Sequence, residues 1–424
     1  MVDIKPFRAI RYTEKAGNIE KLITPPYDKI DATQQKSYYE KSSYNYCRLI
    51  LPLEEDAYEI ANQRIQQWLK EGILKKDDTP AFFVYKQTFM FSGKILNRTG
   101  LIVALRLHAY EENKILPHEI THSAPKADRL KMLRKVQKDL EPVFLIFSDD
   151  ENEVTKILIS TQKTTPIIEV KDEFNVKHIV WSITDTKTIK KLQNTFKNKT
   201  LVITDGHHRY ESALAYRNER RMQETCTEDA AFNFHMSYIV PLQDQGLIVL
   251  PTHRLLKKHE VTDQTLQELA KFFKISEIQS KIEEIDQFLE KHKQKHAFCI
   301  YNGSKTYALT IKDENTIRKS LEKNQQNIQL LVVTILRDLV FKNIMRINEL
   351  RIEEDIIYAD STRSAMEKVN SGAAKVAFIV SCIGPETVWK LALKRQILPE
   401  KSTNFYPKPV SGLMMMDISP NEQL

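Results

Sequence analysis

The sequence predicts a protein of the α/β class, in its mixed α+β form, with more than one domain. The chain has 424 residues, which exceeds the roughly 100–200 residues of an ordinary domain. Segments rich in β-branched and aromatic residues alternate along the chain with segments of helical periodicity. Apolar residues make up 42% and charged residues 28% of the sequence, as is ordinary for a globular protein.

We predict three regions: a mixed α/β segment at residues 1–95 that packs on a core at residues 96–254, and a C-terminal α/β domain at residues 255–424. Helical spacing predicts helices, and β-branched or aromatic runs predict strands. Gly72 is expected to end the first helix. The predicted helices are residues 56–74, 127–138, 210–221, 265–273 and 330–344. The predicted strands are residues 82–85, 99–107, 143–147, 201–203, 236–241, 297–301 and 376–381.

The composition excludes several classes of protein. The four cysteines lie far apart and form no Cys-x-x-Cys pair, which favours a reducing compartment and disfavours a disulfide framework. Met1 to Pro6 lacks the basic and apolar runs of a signal peptide, and the longest apolar run, residues 330–336, is too short for a membrane helix. The net charge of +7 is small for this length, so nucleic acid is not indicated. We expect a cytoplasmic protein.

The segment Asp205-Gly206-His207-His208-Arg209 carries the strongest functional signal. It lies between the strand predicted at 201–203 and the helix predicted at 210–221, a junction whose free N–H groups form an anion site. The helix dipole favours acids at such an end, yet two histidines and an arginine stand there. A polyanionic ligand explains this pattern: Arg209 can grip phosphate oxygens, and Asp205 can hold Mg²⁺ or a hydroxyl proton. Alternatively, Asp205 is a helix cap and the histidines are surface or core residues.

Three further groups of residues are candidate sites. His118-Glu119-Ile120-Thr121-His122 matches the zinc hydrolase pattern His-Glu-x-x-His, but Pro117 and Pro125 leave little room for the helix that this pattern requires. Lys126 and Arg129 either contact a ligand or form a solvated face paired with Asp128 or Glu141. His253 and Arg254 either close the site or are loop cations.

The sequence resembles two related groups of proteins. Residues 205–209 resemble the helix entry of the ParB/sulfiredoxin-like superfamily, where a Gly-x-x-Arg turn holds nucleotide phosphates. The fuller pattern looks like the domain-of-unknown-function 1015 family, apart from Leu398-Pro399-Glu400 where that family has a Pro-Pro pair, and from His122. The resembling motifs are Pro26-Tyr27-Asp28, Arg98-Thr99-Gly100, Pro117 to Thr121, Pro125 to Leu130, Asp205 to Tyr210, Thr252-His253-Arg254 and Lys401 to Pro409.

The resemblance implies a ParB-like nucleotide-binding core at residues 96–254 and a phosphotransferase that uses ATP or ADP with Mg²⁺. The acceptor would be a small hydroxyl metabolite, with free serine the first candidate, because ParB-like kinases with a similar turn phosphorylate free serine. Catalytic roles fall to Glu119 as base, Asp205 as Mg²⁺ ligand, and His208. The expected phosphate-binding residues are Gly206, His207, His208 and Arg209. The expected substrate-binding residues are His118, Thr121, Lys126, Arg129, His253 and Arg254.

Two other functions stay open. One is a non-catalytic nucleotide-sensing module of the ParB type, although no helix-turn-helix region or dimerising tail is recognisable. The other is a zinc metallohydrolase that uses His118, Glu119 and His122. A homodimer also stays open, and the sequence does not identify the phosphate acceptor.

Overall fold

The computed structural model describes residues 1–120, 123–223, 227–321, 330–347 and 355–424. The chain divides into two compact units. The first consists of Met1–Pro117, Thr121–Ile248 and Pro407–Leu424, and the second of His118–Ile120 and Val249–Tyr406. The boundary predicted at residues 95 and 96 falls inside the first unit. Both units combine helices with β-sheet, so the predicted α/β class is confirmed.

The first unit is built on a nine-stranded sheet, counted over the described residues. Val143–Phe147 and Phe234–Pro241 are buried along their whole length, as expected of central strands covered on both faces. Ile4–Lys5 pairs with Lys94–Arg106 at the side of this sheet. The other strands follow in the order Ile115–Leu116, Leu201–Asp205, Val143–Phe147, Phe234–Pro241, Lys94–Arg106, Phe82–Phe91, Lys177–Ile183, Ile168–Lys171.

The strand Leu201–Asp205 runs parallel to Ile115–Leu116 and antiparallel to Val143–Phe147. Its pairing with Val143–Phe147 is irregular between Ile203 and Asp205. A register irregularity of this kind re-aims the side chains at the end of a strand. Asp205 therefore stands at the point where the strand leaves the regular sheet.

The helices of the first unit agree with the sequence where apolar spacing is strong. The helix Ala57–Glu71 ends at Gly72, whose φ of 73° is the left-handed conformation that glycine adopts readily, so the predicted helix end is confirmed. The other α-helices are Ala32–Lys41, Cys47–Ile50, Ser123–Val136, Glu153–Thr161, Thr186–Phe196 and His207–Gln223. Short 3₁₀ helices cover Glu14–Ala16, Ile19–Lys21, Tyr27–Lys29, Tyr110–Glu112 and Ala231–Asn233.

The last residues of the chain pack into the first unit. Met416–Asp417 pairs with Lys138–Asp139, and Ser411 exchanges two backbone hydrogen bonds with Thr24. Next to these residues, the short strands Ile10–Tyr12 and Leu74–Lys76 pair with each other. The segment Pro407–Leu424 therefore belongs with residues that precede it by several hundred positions.

The second unit carries a six-stranded sheet within its described part. Its strands follow in the order Phe273–Ile278, Thr306–Ile311, Phe298–Tyr301, Val376–Val380, His253–Leu256, Ile356–Ala359. Its α-helices are Asp263–Leu269, Ile282–Lys291, Glu314–Ser320, Val332–Thr334, Thr362–Asn370 and Pro385–Leu393. Other elements within the described residues are the 3₁₀ helix Lys293–Lys295, the π-helix Ile335–Ile344, the short strand Asn404–Tyr406, and the short strand Ile248–Leu250, which begins where the segment Thr121–Ile248 of the first unit ends.

Two helices of the second unit differ from the prediction. The helix expected at residues 265–273 ends at Leu269, and Phe273 begins a strand instead. Phe273 is fully buried in the core beside Phe298, so tertiary packing outweighs the local helical pattern. The apolar segment expected as one helix at 330–344 is the three-residue α-helix Val332–Thr334 followed by the π-helix Ile335–Ile344. Among the described helices, none has both the length and the apolar character needed to cross a membrane.

Candidate active site at the Gly206 turn

The predicted strand–glycine–helix junction is confirmed. The strand Leu201–Asp205 leads through Gly206 into the helix His207–Gln223. Gly206 has a φ of 86°, a conformation that residues with a side chain rarely adopt. A Cβ atom at this position would also lie 2.9 Å from Nε of Arg209. Glycine thus permits the turn and leaves room for the Arg209 guanidinium to fold back over it.

Asp205 lies between two cations. Its Oδ2 accepts a hydrogen bond of 2.7 Å from Nη2 of Arg209, and its Oδ1 accepts one from Nζ of Lys408. Nη1 of Arg209 donates to the carbonyl of Pro142 at 2.6 Å. All three side chains are largely buried, with exposed fractions of 12% for Asp205, 9% for Arg209 and 15% for Lys408. The turn therefore carries a buried ionic triad, which we call the Asp205 triad.

The two cations determine the charge state of Asp205. Burial by itself raises the pKa of this carboxyl, but the charges of Lys408 and Arg209 outweigh burial and hold the pKa well below its ordinary value. Burial lowers the pKa of Arg209, but the negative charges of Glu141 and Asp205 raise it by more, so the pKa lies above its ordinary value. The carboxyl of Asp205 and the guanidinium of Arg209 are therefore both charged at neutral pH.

This charge state predicts a loss of stability in acid. Because the pKa of Asp205 is lower in the folded than in the unfolded protein, its contribution is present above about pH 4, the unfolded pKa, and is lost as pH falls further. A salt-bridged aspartate of this kind is worth on the order of 2–3 kcal/mol. Urea unfolding of wild type and Asp205→Asn between pH 7 and pH 3 measures the first part of this loss. We expect a steeper loss in wild type; parallel curves would contradict the assignment.

A second layer of polar contacts holds the elements around the triad. Oε1 of Glu141 accepts hydrogen bonds from the backbone N–H of Tyr27 at 3.1 Å and from Oγ of Ser411 at 2.7 Å. The guanidinium of Arg129 lies 4.0 Å from the ring centre of Tyr27, a cation–π contact. Glu141 therefore joins the Tyr27–Lys29 turn to the C-terminal segment beside Arg209.

Lys126 and Arg129, the two basic residues proposed as ligand contacts from the sequence, lie in the first unit, and each forms an ion pair with an acid. Arg129 bonds to its neighbour Asp128 at 2.8 Å through Nε and to the carbonyl of Ile50. Lys126 forms an ion pair of 2.9 Å with Glu211. Of the two acids considered from the sequence as partners, the structure pairs Arg129 with Asp128.

His207 and His208 form the first turn of the helix. His207 is buried, and His208 is half-buried. The carbonyl of His208 accepts a hydrogen bond from Oγ of Ser212 one turn later. Both imidazoles thus stand beside Gly206 at the positive end of the helix dipole, where an anion would be stabilised.

His118 and Glu119 lie in the second unit. Oε1 of Glu119 accepts hydrogen bonds from the N–H of Ser402 at 3.1 Å and from both the N–H and the hydroxyl of Thr403 at 2.8 Å. Nε2 of His118 lies 2.7 Å from the same hydroxyl. Since that hydroxyl donates to Glu119, it accepts from His118. The arrangement joins the three side chains in the order His118, Thr403, Glu119.

The described part of the His-Glu-x-x-His segment is not helical. Glu119 forms a parallel bridge with Leu398, so residues 118–120 are extended, and the next helix begins at Ser123. Thr121 and His122, predicted as a substrate contact and a zinc ligand, lie outside the described residues. The zinc pattern requires its histidines one turn apart on a helix, which residues 118–120 do not provide.

The alternative that His253 and Arg254 are loop cations is wrong. Both belong to the strand His253–Leu256, with exposed fractions of 1% and 3%. Nδ1 of His253 accepts a hydrogen bond from the N–H of Val380, and burial lowers the pKa of His253 to about 4. Nη1 of Arg254 donates to the carbonyl of Thr252 at 2.9 Å. His253 is therefore neutral and Arg254 is a buried strand residue.

Sequence reasoning placed neither Lys408 nor Glu141 among the site residues. Lys408 stands 203 residues after Asp205, and Glu141 stands 114 residues after Tyr27. The sequence signal for Lys408 was the family resemblance, which includes the segment Lys401 to Pro409 and for which a structural turn role was an equal alternative. For Glu141, no signal beyond its charge was present.

The chain matches one family of known sequences. A family model described as a protein of unknown function (DUF1015) matches residues 4–335, a range that includes the Gly206 turn. The chain belongs to the DUF1015 family. No curated protein sequence matches this DUF1015 member significantly.

Solved structures similar to this DUF1015 protein share little sequence with it. A free serine kinase in complex with AMP is 15% identical to this chain, with a TM-score of 0.39. The match covers 73% of this chain and 90% of the kinase chain. A conserved hypothetical protein from Pyrococcus furiosus is 14% identical, with coverages of 73% and 94% and a TM-score of 0.36. C-terminally truncated SbnI from Staphylococcus aureus is 9% identical, with coverages of 73% and 88% and a TM-score of 0.33.

Proposed function

We propose that this protein is a phosphotransferase that binds ATP or ADP at the Gly206 turn and phosphorylates a small hydroxyl metabolite, free serine being the first candidate. The observation that carries the proposal is the Asp205 triad. It places two buried cations at a glycine turn that opens directly into a helix. Phosphoryl transfer depends chiefly on positioning and charge neutralisation, and this arrangement supplies both.

The geometry of the turn supports phosphate binding. Backbone N–H groups at the start of a helix lack intrahelical partners and attract anions. Gly206 brings the backbone close to a ligand, while His207, His208 and Arg209 surround it with donors. Lys408 adds a compact charge of the kind that binds phosphate well. We assign phosphate binding to Gly206, His207, His208 and Arg209, and extend the set to Lys408.

Magnesium fits the chemistry of Asp205. Mg²⁺ commonly takes one or two carboxylates and completes its shell with phosphate oxygens and water. In the structure both Asp205 oxygens face cations. Arg209 is held at one further point, by the Pro142 carbonyl, whereas Lys408 carries its charge on a flexible stem. Asp205 would hold Mg²⁺, and the ion would supply charge neutralisation at the phosphates.

The remaining roles rest on the family resemblance. Glu119 is proposed as the base toward the acceptor hydroxyl, and His208 as a catalytic residue beside the phosphates. His118, Thr121, Lys126, Arg129, His253 and Arg254 are proposed as substrate contacts. If the protein is instead a nucleotide-sensing module, it will bind nucleotide without forming product.

An assay of phosphoester formation tests the proposal directly. The purified protein is incubated with ATP or ADP, Mg²⁺ and a pool of hydroxyl metabolites including serine, and products are identified by mass spectrometry. We expect a new phosphoester that depends on the nucleotide and disappears with EDTA. Nucleotide binding without any product would favour the sensing module, and no binding of either nucleotide would refute the proposal.

Lys408→Met tests the added phosphate ligand. The backbone around residue 408 is anchored independently of the side chain. The Lys408 carbonyl accepts a hydrogen bond of 3.0 Å from Gln87, and Ser411 pairs with Thr24. We expect the dissociation constant for ATP to rise about tenfold to a hundredfold, the scale of one charge-assisted contact, as measured by calorimetry. Lys190→Met, on the exposed face of the helix Thr186–Phe196, is the control for net charge. Equal affinities in both variants would remove Lys408 from the site.

A further inference from the structure

Gln87 and Arg98 form a buried polar pair in the first unit. They stand opposite each other on the strands Phe82–Phe91 and Lys94–Arg106, so their side chains share one face of the sheet. Both residues are 0% exposed. An amide and a guanidinium are costly to bury unless their donors find partners, so the groups that they contact indicate why they are there.

Both side chains donate to the C-terminal segment. Nε2 of Gln87 donates to the carbonyl of Lys408 at 3.0 Å, and Nη2 of Arg98 donates to the carbonyl of Pro407. Nη2 of Arg98 also donates to Oε1 of Gln87, which orients the amide so that its nitrogen faces Lys408. Two consecutive carbonyls are therefore held, and the second belongs to the lysine of the Asp205 triad.

Arg98 also contacts the strand that pairs with Asp205. Its guanidinium lies 4.6 Å from the ring centre of Phe144, a cation–π contact. Phe144 is the residue that stands opposite Asp205 where the strands Val143–Phe147 and Leu201–Asp205 pair. Arg98 thus contacts both the segment that carries Lys408 and the residue opposite Asp205.

The C-terminal segment is docked by other contacts as well. Val410 and residues 413–416 are buried, and Met416–Asp417 pairs with Lys138–Asp139. Apolar burial and backbone pairing therefore hold the chain from residue 410 onward. Lys408 precedes this part of the segment, and the buried polar pair holds the backbone at that point.

We propose that Gln87 and Arg98 are positioning residues that set the place of the Lys408 ammonium in the Asp205 triad. By holding two successive carbonyls, they fix the backbone from which the lysine side chain starts. A lysine side chain loses rotamer entropy when it is held in one geometry, so a fixed backbone lowers the cost of keeping the ammonium where it bonds Asp205. The pair acts through Lys408 and not on the ligand itself.

The consequence for nucleotide affinity rests on the proposed function, in which Lys408 binds phosphate. The position of the Lys408 ammonium does not rest on it, because that position depends on contacts within the first unit. The pair also gives a role to Arg98, which the family resemblance singled out without one. The ammonium can therefore be followed without nucleotide.

Chemical labelling reports the position of the ammonium directly. The purified protein is treated with limiting acetic anhydride, and acetylation of each lysine is followed by mass spectrometry. The Lys408 side chain is 15% exposed and bonded to a carboxylate, whereas Lys190 is exposed. We expect wild-type Lys408 to react several-fold more slowly than Lys190, and equal rates would overturn the inference.

Two substitutions at Gln87 release the Lys408 carbonyl in different ways. Gln87→Glu keeps an oxygen that accepts from Arg98 and loses the donor to Lys408, and the guanidinium keeps the new carboxyl ionised. Gln87→Met removes both bonds and adds no charge. We expect each variant to raise the acetylation rate of Lys408 about threefold to tenfold, the scale of one lost hydrogen bond, with Lys190 unchanged. If Gln87→Met does not fold by circular dichroism, Gln87→Glu decides, and an unchanged rate would overturn the inference.

Arg98→Met tests the other half of the pair. It removes the donor to the Pro407 carbonyl and the contact with Phe144, so we expect the acetylation rate of Lys408 to rise as in the Gln87 variants. An unchanged rate in folded Arg98→Met would overturn the role of Arg98. Thr161→Val is the matched control, because it also removes one hydrogen bond of a buried side chain, from the Thr161 hydroxyl to the carbonyl of Ile157 at 2.9 Å. It is expected to leave the labelling of Lys408 unchanged.

Nucleotide affinity separates positioning from a general loss of structure. We expect Gln87→Glu to raise the dissociation constant for ATP about threefold to tenfold. The same substitution added to Lys408→Met should have no further effect, because the pair acts through that lysine. Equal effects in both backgrounds would show that Gln87 supports the fold and does not act through Lys408. Thr161→Val should bind ATP as the wild type does.

Labelling and binding together distinguish the positioning role from the proposed function. Faster acetylation of Lys408 in the Gln87 variants of a protein that binds no nucleotide would support the positioning role and refute the phosphotransferase. A phosphoester formed by a protein in which Gln87→Glu changes neither the acetylation of Lys408 nor the affinity for ATP would support the phosphotransferase and refute the positioning role.

Discussion

Arg209→Ala is expected to destabilise the first unit by about 3–5 kcal/mol, the cost of removing one partner of a buried ion pair. Arg209 is buried, and its guanidinium neutralises Asp205 while donating to the Pro142 carbonyl. Alanine leaves the carbonyl without this donor and Asp205 with Lys408 alone. Urea denaturation of wild type and variant at pH 7 measures the difference.

A triple variant separates the charge effect from the loss of packing. In Asp205→Asn combined with Arg209→Met and Lys408→Met, the buried carboxylate disappears together with both of its partners, so we expect a smaller loss than in Arg209→Ala. An Arg209→Ala variant within about 1 kcal/mol of wild type would show that the ion pair contributes little to folding.

The same arginine has a second expected effect, on nucleotide affinity. Where Arg209→Ala remains folded, ATP and ADP binding should weaken by roughly 1.5–3 kcal/mol, the value of a charge-assisted contact. Comparing Arg209→Ala with Lys408→Met shows how the two cations of the triad divide this contribution. Undiminished affinity in both variants would exclude the turn as the phosphate site.

Glu119→Gln is expected to lower turnover by about 10²–10⁴-fold while nucleotide binding is retained, because it removes the proposed base without changing its size. A glutamine oxygen can still accept from the N–H groups of Ser402 and Thr403, which Glu119 now holds at 3.1 and 2.8 Å. The local turn should therefore persist. Steady-state kinetics with the identified acceptor measures the loss in kcat.

A purely structural role for Glu119 predicts a different outcome. If Glu119 only fixes residues 402 and 403, then Glu119→Gln, whose oxygen still accepts from both N–H groups, should leave kcat within about threefold of wild type. Thr403→Val removes the hydroxyl that joins Glu119 to His118. Under a purely structural role, its kcat should also stay within about threefold of wild type. Glu386→Gln, at an exposed position of the helix Pro385–Leu393, is the control.

The sequence alone determined the features that depend on neighbouring residues. The resemblance of its motifs indicated the DUF1015 family. The end of the helix at Gly72, the α/β class and the strand–glycine–helix junction at Gly206 follow from local spacing and residue type. These predictions hold because backbone sterics and hydrophobic periodicity act over a few residues. At Gly206 the positive φ leaves little choice of residue.

Only the tertiary structure decided which side chains share the site. The pairing of Lys408 with Asp205 joins residues 203 positions apart, and the sharing of Glu141 by Tyr27 and Ser411 joins three distant segments. Tertiary packing also ended the helix at Leu269 and buried His253 in a strand. Such outcomes depend on how distant segments of the chain meet, which a local sequence pattern does not specify. A charged residue looks the same in the sequence whether its partner is solvent or a buried carboxylate.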